Sequence, residues 1–136
     1  MSDAPRASRR WIYWIPVLVV MAVIFVASSQ SGLRISDDAS VDKPFRVTGH
    51  LLVFASLAGT LLVAFSHGRA PRLRDAALAL GITFIYALSD EWHQTFVADR
   101  NGRLDDVVTD LIGATIGVAL AWIVLTFGAR RREDRS

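Results

Sequence analysis

Three stretches of this chain, 11–28, 48–66 and 107–127, are apolar around the whole circumference of a helix and not on one stripe. A helix on the surface of a soluble domain keeps a polar face toward water. Runs of about 18 or more residues without one match a hydrocarbon layer about 30 Å thick, at 1.5 Å per residue. The pattern therefore predicts an all-α, polytopic membrane protein whose solvent is the lipid bilayer. A hydrophobic fraction of 52% in 136 residues agrees, being high for a small soluble domain. Cysteine is absent, which removes disulfides, thiolate metal sites and a cysteine nucleophile from consideration.

The first run is preceded by Arg9 and Arg10 and begins with Trp11, Tyr13 and Trp14, the basic and aromatic flank expected at a membrane interface. Pro16 is tolerable in the first turns of such a helix. The competing reading is a secretory signal peptide, with Arg6, Arg9 and Arg10 in front and Ala27-Ser28-Ser29 as a small-residue cleavage site. The length and Trp flank of the run favour a span. In the second run Ala55 and Gly59 stand four apart, as do Gly113 and Gly117 in the last. Small residues at this spacing let helix backbones approach closely in lipid, within one chain or across a homo-oligomer.

A further helix is predicted over 76–97, and it poses a problem. Its clean apolar part, Ala76 to Ser89, is shorter than the roughly 17 residues a crossing needs. It spans only if it continues through Asp90-Glu91-Trp92-His93-Gln94 to about Val97. Ionisable groups at membrane depth are costly, and so mark a candidate functional site. The expected architecture is a four-transmembrane-helix bundle over 11–127, with spans at about 11–28, 48–66, 76–97 and 107–127. A cytoplasmic tail, 1–10, precedes it and a basic cytoplasmic tail, 128–136, follows.

Charge sets the expected orientation. Ten of the 15 basic residues, Arg6, Arg9, Arg10, Arg69, Arg72, Arg74, Arg130, Arg131, Arg132 and Arg135, fall on the side of the two termini. Arg34, Lys43, Arg46, Arg100 and Arg103 fall on the other. Short basic loops stay in the cytoplasm, so the expectation is N-in/C-in, in a bacterial cytoplasmic membrane. Acids divide the opposite way, giving net charges of +6 inside and −4 outside. The run Arg130 to Arg132 reads as a flank that stops translocation, and no nucleic-acid partner is expected.

The acids of the outer side form a constellation. On a continuing helix Asp90, His93 and Gln94 share a face, while Glu91 points about 100° away and pairs with Gln94. Asp106 and Asp110 are stacked four apart, so a cation, a proton or an arginine is needed beside them. Arg100 and Arg103 lie in the same outer loop, where Asn101-Gly102 reads as a tight turn, and Lys43 and Arg46 lie in the other. His50 opens the second span. A His/carboxylate site for a divalent metal could draw on Asp90, His93, His50 and Asp106, although no motif requires a cofactor. Three readings compete: a site for a polar lipid or envelope-precursor headgroup, an acid/base or metal-assisted enzyme, and a salt-bridged structural cap. No nucleotide loop, Ser-His-Asp order or HExxH is present.

At these residues the chain resembles the VanZ-like family of small membrane proteins. The matching pieces are Ser28-Ser29-Gln30-Ser31, Asp42-Lys43, and His50 with Phe54 one turn on. The most specific piece is Tyr86-Ala87-Leu88-Ser89-Asp90-Glu91-Trp92-His93-Gln94, followed by Phe96-Val97, Arg100, Asp105-Asp106 and Leu111-Ile112-Gly113-Ala114. The chain departs from the family pattern at Ala98-Asp99, where Pro-Gly is common, and at Asp110, where Asn is frequent. The resemblance implies a multi-helix membrane fold and a role in the cell envelope or in susceptibility to teicoplanin-type glycopeptides. It implies no particular reaction. Gln30, Lys43, His50, Asp90, Glu91, His93, Gln94, Arg100, Asp106 and Asp110 are the candidate site residues.

Overall fold

The computed structural model describes residues 6–31, 39–98, 100 and 102–134, with the side chains of 6–9, 39 and 133 left aside. The described residues are helical, with no strand among them. A tightly wound segment, Arg6–Trp14, leads into α1, Ile15–Ser28, with Pro16 in its first turn where a missing N–H costs nothing. Then come α2, Ala39–Ser66; α3, Leu73–Gln94; and α4, Leu104–Glu133. Arg34, Asp37, Asp38, Asp99 and Asn101, and with them the expected Asn101-Gly102 turn, lie outside the described residues, as do Asp3 and Arg135.

Several expected boundaries move: α3 begins at Leu73, and α4 starts at Leu104 and continues through Arg130, Arg131 and Arg132 to Glu133. Helix α2 starts nine residues before Thr48, at Ala39, and takes Asp42, Lys43 and Arg46 into its first turns, with Pro44 inside the helix. Helix α3 stops at Gln94 and not at Val97, because the N–H groups of Thr95, Phe96 and Val97 turn back to Trp92, His93 and Gln94. At the other end α2 closes on His67 and Gly68, both left-handed, and the Gly68 N–H bonds back to the Val63 carbonyl.

Helix α2 is the axis of the molecule. Phe54, Leu57, Leu61 and Leu62 are fully buried on it, and it touches every other helix. Its most extensive partner is α4. A Cβ on Gly113 would come within 2.9 Å of the Leu51 Cα, and one on Gly117 would fall on the Ala55 carbonyl oxygen. Each four-residue step on α4 matches a four-residue step on α2, so the two helices run parallel with their backbones in contact. The small residues of both runs thus face one another inside the chain.

Helix α3 inserts a stripe of small residues, Ala79, Thr83 and Ala87, with Asp75 at one end of it and Asp90, Glu91 and Gln94 at the other. The Tyr86 hydroxyl crosses to α1 and donates to the Met21 carbonyl at 2.7 Å. Meanwhile Leu18, Val26, Leu52, Ile85, Trp92, Leu120 and Val124 point outward. Large apolar side chains across the outside, over an interior where Phe54, Leu57, Leu61 and Leu62 pack with small and polar residues, suit a lipid surround. Three helical stretches, Arg10–Ser28, Ser40–Ser66 and Leu104–Arg132, are long and apolar enough to cross a membrane. Helix α3 is not among them.

Candidate functional site

The fold gathers polar groups at the end of the bundle formed by the C-terminus of α3 and the first turns of α2 and α4. The parallel α2/α4 seam sets the first contact. With Leu51 against Gly113, His50 immediately before Leu51 and Asp110 one turn before Gly113 fall side by side, and His50 Nδ1 lies 2.8 Å from Asp110 Oδ1. Phe54 stacks on the imidazole from below. Asp110 is wholly buried, and its second oxygen, Oδ2, has no hydrogen-bond partner among the described residues.

Helix α3 supplies the second set. Its 100° turn per residue places Gln94 angularly between Asp90 and Glu91, and the amide nitrogen bridges them, 2.8 Å from Asp90 Oδ2 and 3.5 Å from Glu91 Oε1. Glu91 Oε2 accepts the Arg103 backbone N–H at 2.6 Å. Gly102 makes that bond attainable: a side chain there would collide with the Glu91 carbonyl and with Thr95. Its role is close approach, not positive φ. Arg100 donates to Gln94 Oε1 at 3.3 Å and to the Ala27 carbonyl at 3.2 Å, tying the loop before α4 to the end of α1.

His93 does not share the face of Asp90 and Gln94. It sits about 60° to the other side of Asp90, where Phe25 of α1 stacks on it at 4.8 Å and Ser29 Oγ lies 3.0 Å from Nε2. The metal grouping expected from spacing, Asp90, His93, His50 and Asp106, is therefore not the one the fold assembles. The residues whose donor atoms converge are His50, Glu91 and Asp110. Asp106 is buried one turn above Asp110. Gln30 and Lys43 are exposed, and neither side chain bonds to the cluster among the described residues.

Beside the cluster a groove of about 390 Å³ opens between α1, α2 and α3. Ile24, Val53 and Phe54 form its apolar wall, and Asp42, Arg46, His50, Asp90 and Arg100 its polar rim. Arg46, Phe45 and Gly49 carry more of this groove than sequence reasoning gave them. The signal was present, since Asp42, Phe45, Arg46, Gly49, His50 and Val53 recur at helical spacing, but it becomes readable only once α2 is known to begin at Ala39.

No curated protein and no solved structure matches the chain. The VanZ/LLP1 profile does, over residues 13–125, a stretch running from the first apolar helix through the groove and both acidic helices. The chain therefore belongs to the VanZ/LLP1 family.

Proposed function

We propose that this chain spans a bacterial cytoplasmic membrane four times, N-in/C-in, and that its outer groove binds the phosphate-bearing headgroup of an envelope lipid or lipid-linked precursor. The observation that carries the reading is the groove itself, an apolar wall of Ile24, Val53 and Phe54 beneath two arginines, Arg46 and Arg100. An acyl chain suits the wall, and guanidinium groups suit phosphate. A structural cap would pair its arginines with the buried acids. Here Arg100 donates to an amide and a backbone carbonyl, and the Arg103 guanidinium meets exposed Asp105.

The fourth crossing is supported by where α3 turns its charges. Its 22 residues give about 33 Å of helix, enough for the hydrocarbon layer. Leu78, Ile82, Ile85, Leu88 and Trp92 face outward, whereas Asp90, Glu91 and Gln94 are buried against protein. The acids lower the mean hydropathy of α3 but face inward, so its exterior is more apolar than its composition. A periplasmic reporter active at Ser136 would refute the topology.

For the groove, binding of fluorescent phosphatidic acid to the purified protein is compared with binding of the corresponding diacylglycerol. The phosphate form is expected to bind more tightly, and the Arg46→Ala/Arg100→Ala variant to lose at least about tenfold. In cells, Asp90, Glu91, Gln94, Arg100 and Asp106 variants that insert normally are expected to change glycopeptide tolerance or another envelope phenotype. If all keep it in full and phosphatidic acid gains nothing over diacylglycerol, the proposal fails.

A further inference from the structure

Behind the groove, one side chain from each of three helices points to a common place. His50 of α2, Glu91 of α3 and Asp110 of α4 can each offer a donor atom such that all three lie within 4.8 Å of one another. They are not merely clustered acids, because Asp110 is completely buried and its Oδ2 has no partner among the described residues. A buried oxygen without a partner is costly and calls for an explanation.

Charge points the same way. Asp90, Glu91, Asp106 and Asp110 are all buried at this end. Among the described residues, the one basic side chain within ion-pairing distance of any of them is His50. Two carboxylates and a neutral imidazole would compensate a doubly charged cation, which lowers the cost of holding either at membrane depth.

We propose that His50, Glu91 and Asp110 bind a single divalent transition-metal ion, Zn²⁺ or Mn²⁺, leaving a further coordination position open. The donor set selects the class: Mg²⁺ and Ca²⁺ prefer all-oxygen shells, and copper(I) needs sulfur, whereas one imidazole with two carboxylates suits Zn²⁺ and Mn²⁺. Bonds of about 2.1 Å in a tetrahedron put donors about 3.4 Å apart, and the three donor atoms already lie within 4.8 Å of one another. Neighbouring groups already orient the ligands. Glu91 is held by the Arg103 N–H at 2.6 Å and reached by the Gln94 amide at 3.5 Å, as second-layer hydrogen bonds commonly hold metal ligands.

The ion's seat does not require the groove to be filled, so the two proposals fail separately. Full-length protein in detergent, stripped with EDTA and free of added lipid, is titrated with ZnCl₂ or MnCl₂. Retained metal is measured after gel filtration, alongside Tm. About one ion per chain and a raised Tm are expected, with at least about tenfold weaker binding in Glu91→Gln, an isosteric change. Arg46→Ala, which alters only the groove rim, is expected to retain the ion. The proposal is overturned if the native protein keeps under about 0.1 ion per chain and shows no Tm shift at about 100 µM of either ion. It is equally overturned if binding survives Glu91→Gln and Asp110→Asn undiminished, since the ion then sits elsewhere. Metal uptake without phosphatidic acid binding removes the headgroup reading and leaves the seat standing; the reverse result does the opposite.

Discussion

Asp75 and Asp110 are both buried aspartates in the early part of a helix, at opposite ends of the bundle, and they are held in different ways. Asp75 uses Oδ2 to accept the Arg72 N–H at 2.9 Å, while Oδ1 lies 3.5 Å from the Arg74 guanidinium, so both oxygens have partners within its own turn. Around it Arg69, Arg72, Arg74 and Arg132 line a cavity of about 420 Å³. Among the described residues Asp110 finds one partner, His50, sixty residues away, and its other oxygen has none. An acid satisfied by the helix it starts is part of the scaffold. An acid left half satisfied in a buried site is the one to which the proposed ion would bring the missing partner.

The comparison breaks most violently if the acidic end alone is disassembled. Gly117→Val drives a side chain into the Ala55 carbonyl and forces α2 away from α4. The expected cost is about 3 kcal/mol of stability, and the residual folded protein should no longer bind Zn²⁺ or Mn²⁺, because His50 and Asp110 depend on that register. Thermal unfolding with metal content measured on the folded fraction checks both. Normal stability would mean that the seam is looser than the glycine contacts imply.

Asp110→Asn comes next. It keeps shape and the hydrogen bond to His50 but removes the charge, so metal affinity should fall at least about tenfold. Stability should stay within about 1 kcal/mol of native, since an incompletely satisfied buried charge contributes little to folding. A large loss of stability with unchanged metal binding would make Asp110 a scaffold residue like Asp75.

The two ends also differ in how far the sequence disclosed them. The apolar runs place α1, α2 and α4, and continuous apolarity on one side of α3 with acids on the other explains why averaging left that helix doubtful. Charged first turns concealed the start of α2: Asp42, Lys43 and Arg46 read as loop because hydropathy registers lipid-facing residues and not helix that continues past them. At the site, contacts within one helix were legible, such as Gln94 on Asp90 and Glu91, because 100° per residue fixes them. Contacts between helices were not. His50 meets Asp110 only because Leu51 and Ala55 lie on Gly113 and Gly117, and His93 turns to Phe25 and Ser29 by an angle that i, i+3 spacing leaves ambiguous.

Asp75→Ala should show a smaller, purely structural effect. It leaves the Arg72 N–H without its acceptor at the start of α3, a loss of about 1 kcal/mol typical of a helix N-terminal cap. Metal uptake at the far end should be unchanged. Any tenfold change there would show that the two ends are coupled through the Ala79, Thr83 and Ala87 stripe, and the contrast between scaffold and site would no longer hold.

The smallest effect separates the two partners of Asp75 itself. The Arg74 side chain is 75% exposed, and its Nε stands 3.5 Å from Oδ1, a distance and setting in which an ion pair gains little over solvent. Arg74→Ala should therefore move stability by no more than about 0.5 kcal/mol, and by less as salt is added. The backbone bond from Arg72 is shorter and needs no long side chain to be ordered, so it should account for most of what Asp75→Ala loses. If Arg74→Ala instead costs as much as Asp75→Ala, and the loss disappears at high salt, then the basic end holds its acid by charge. Asp75 would then be distinguished from Asp110 not by local capping but by having a cation within reach, which is the very thing a metal ion would provide at the other end.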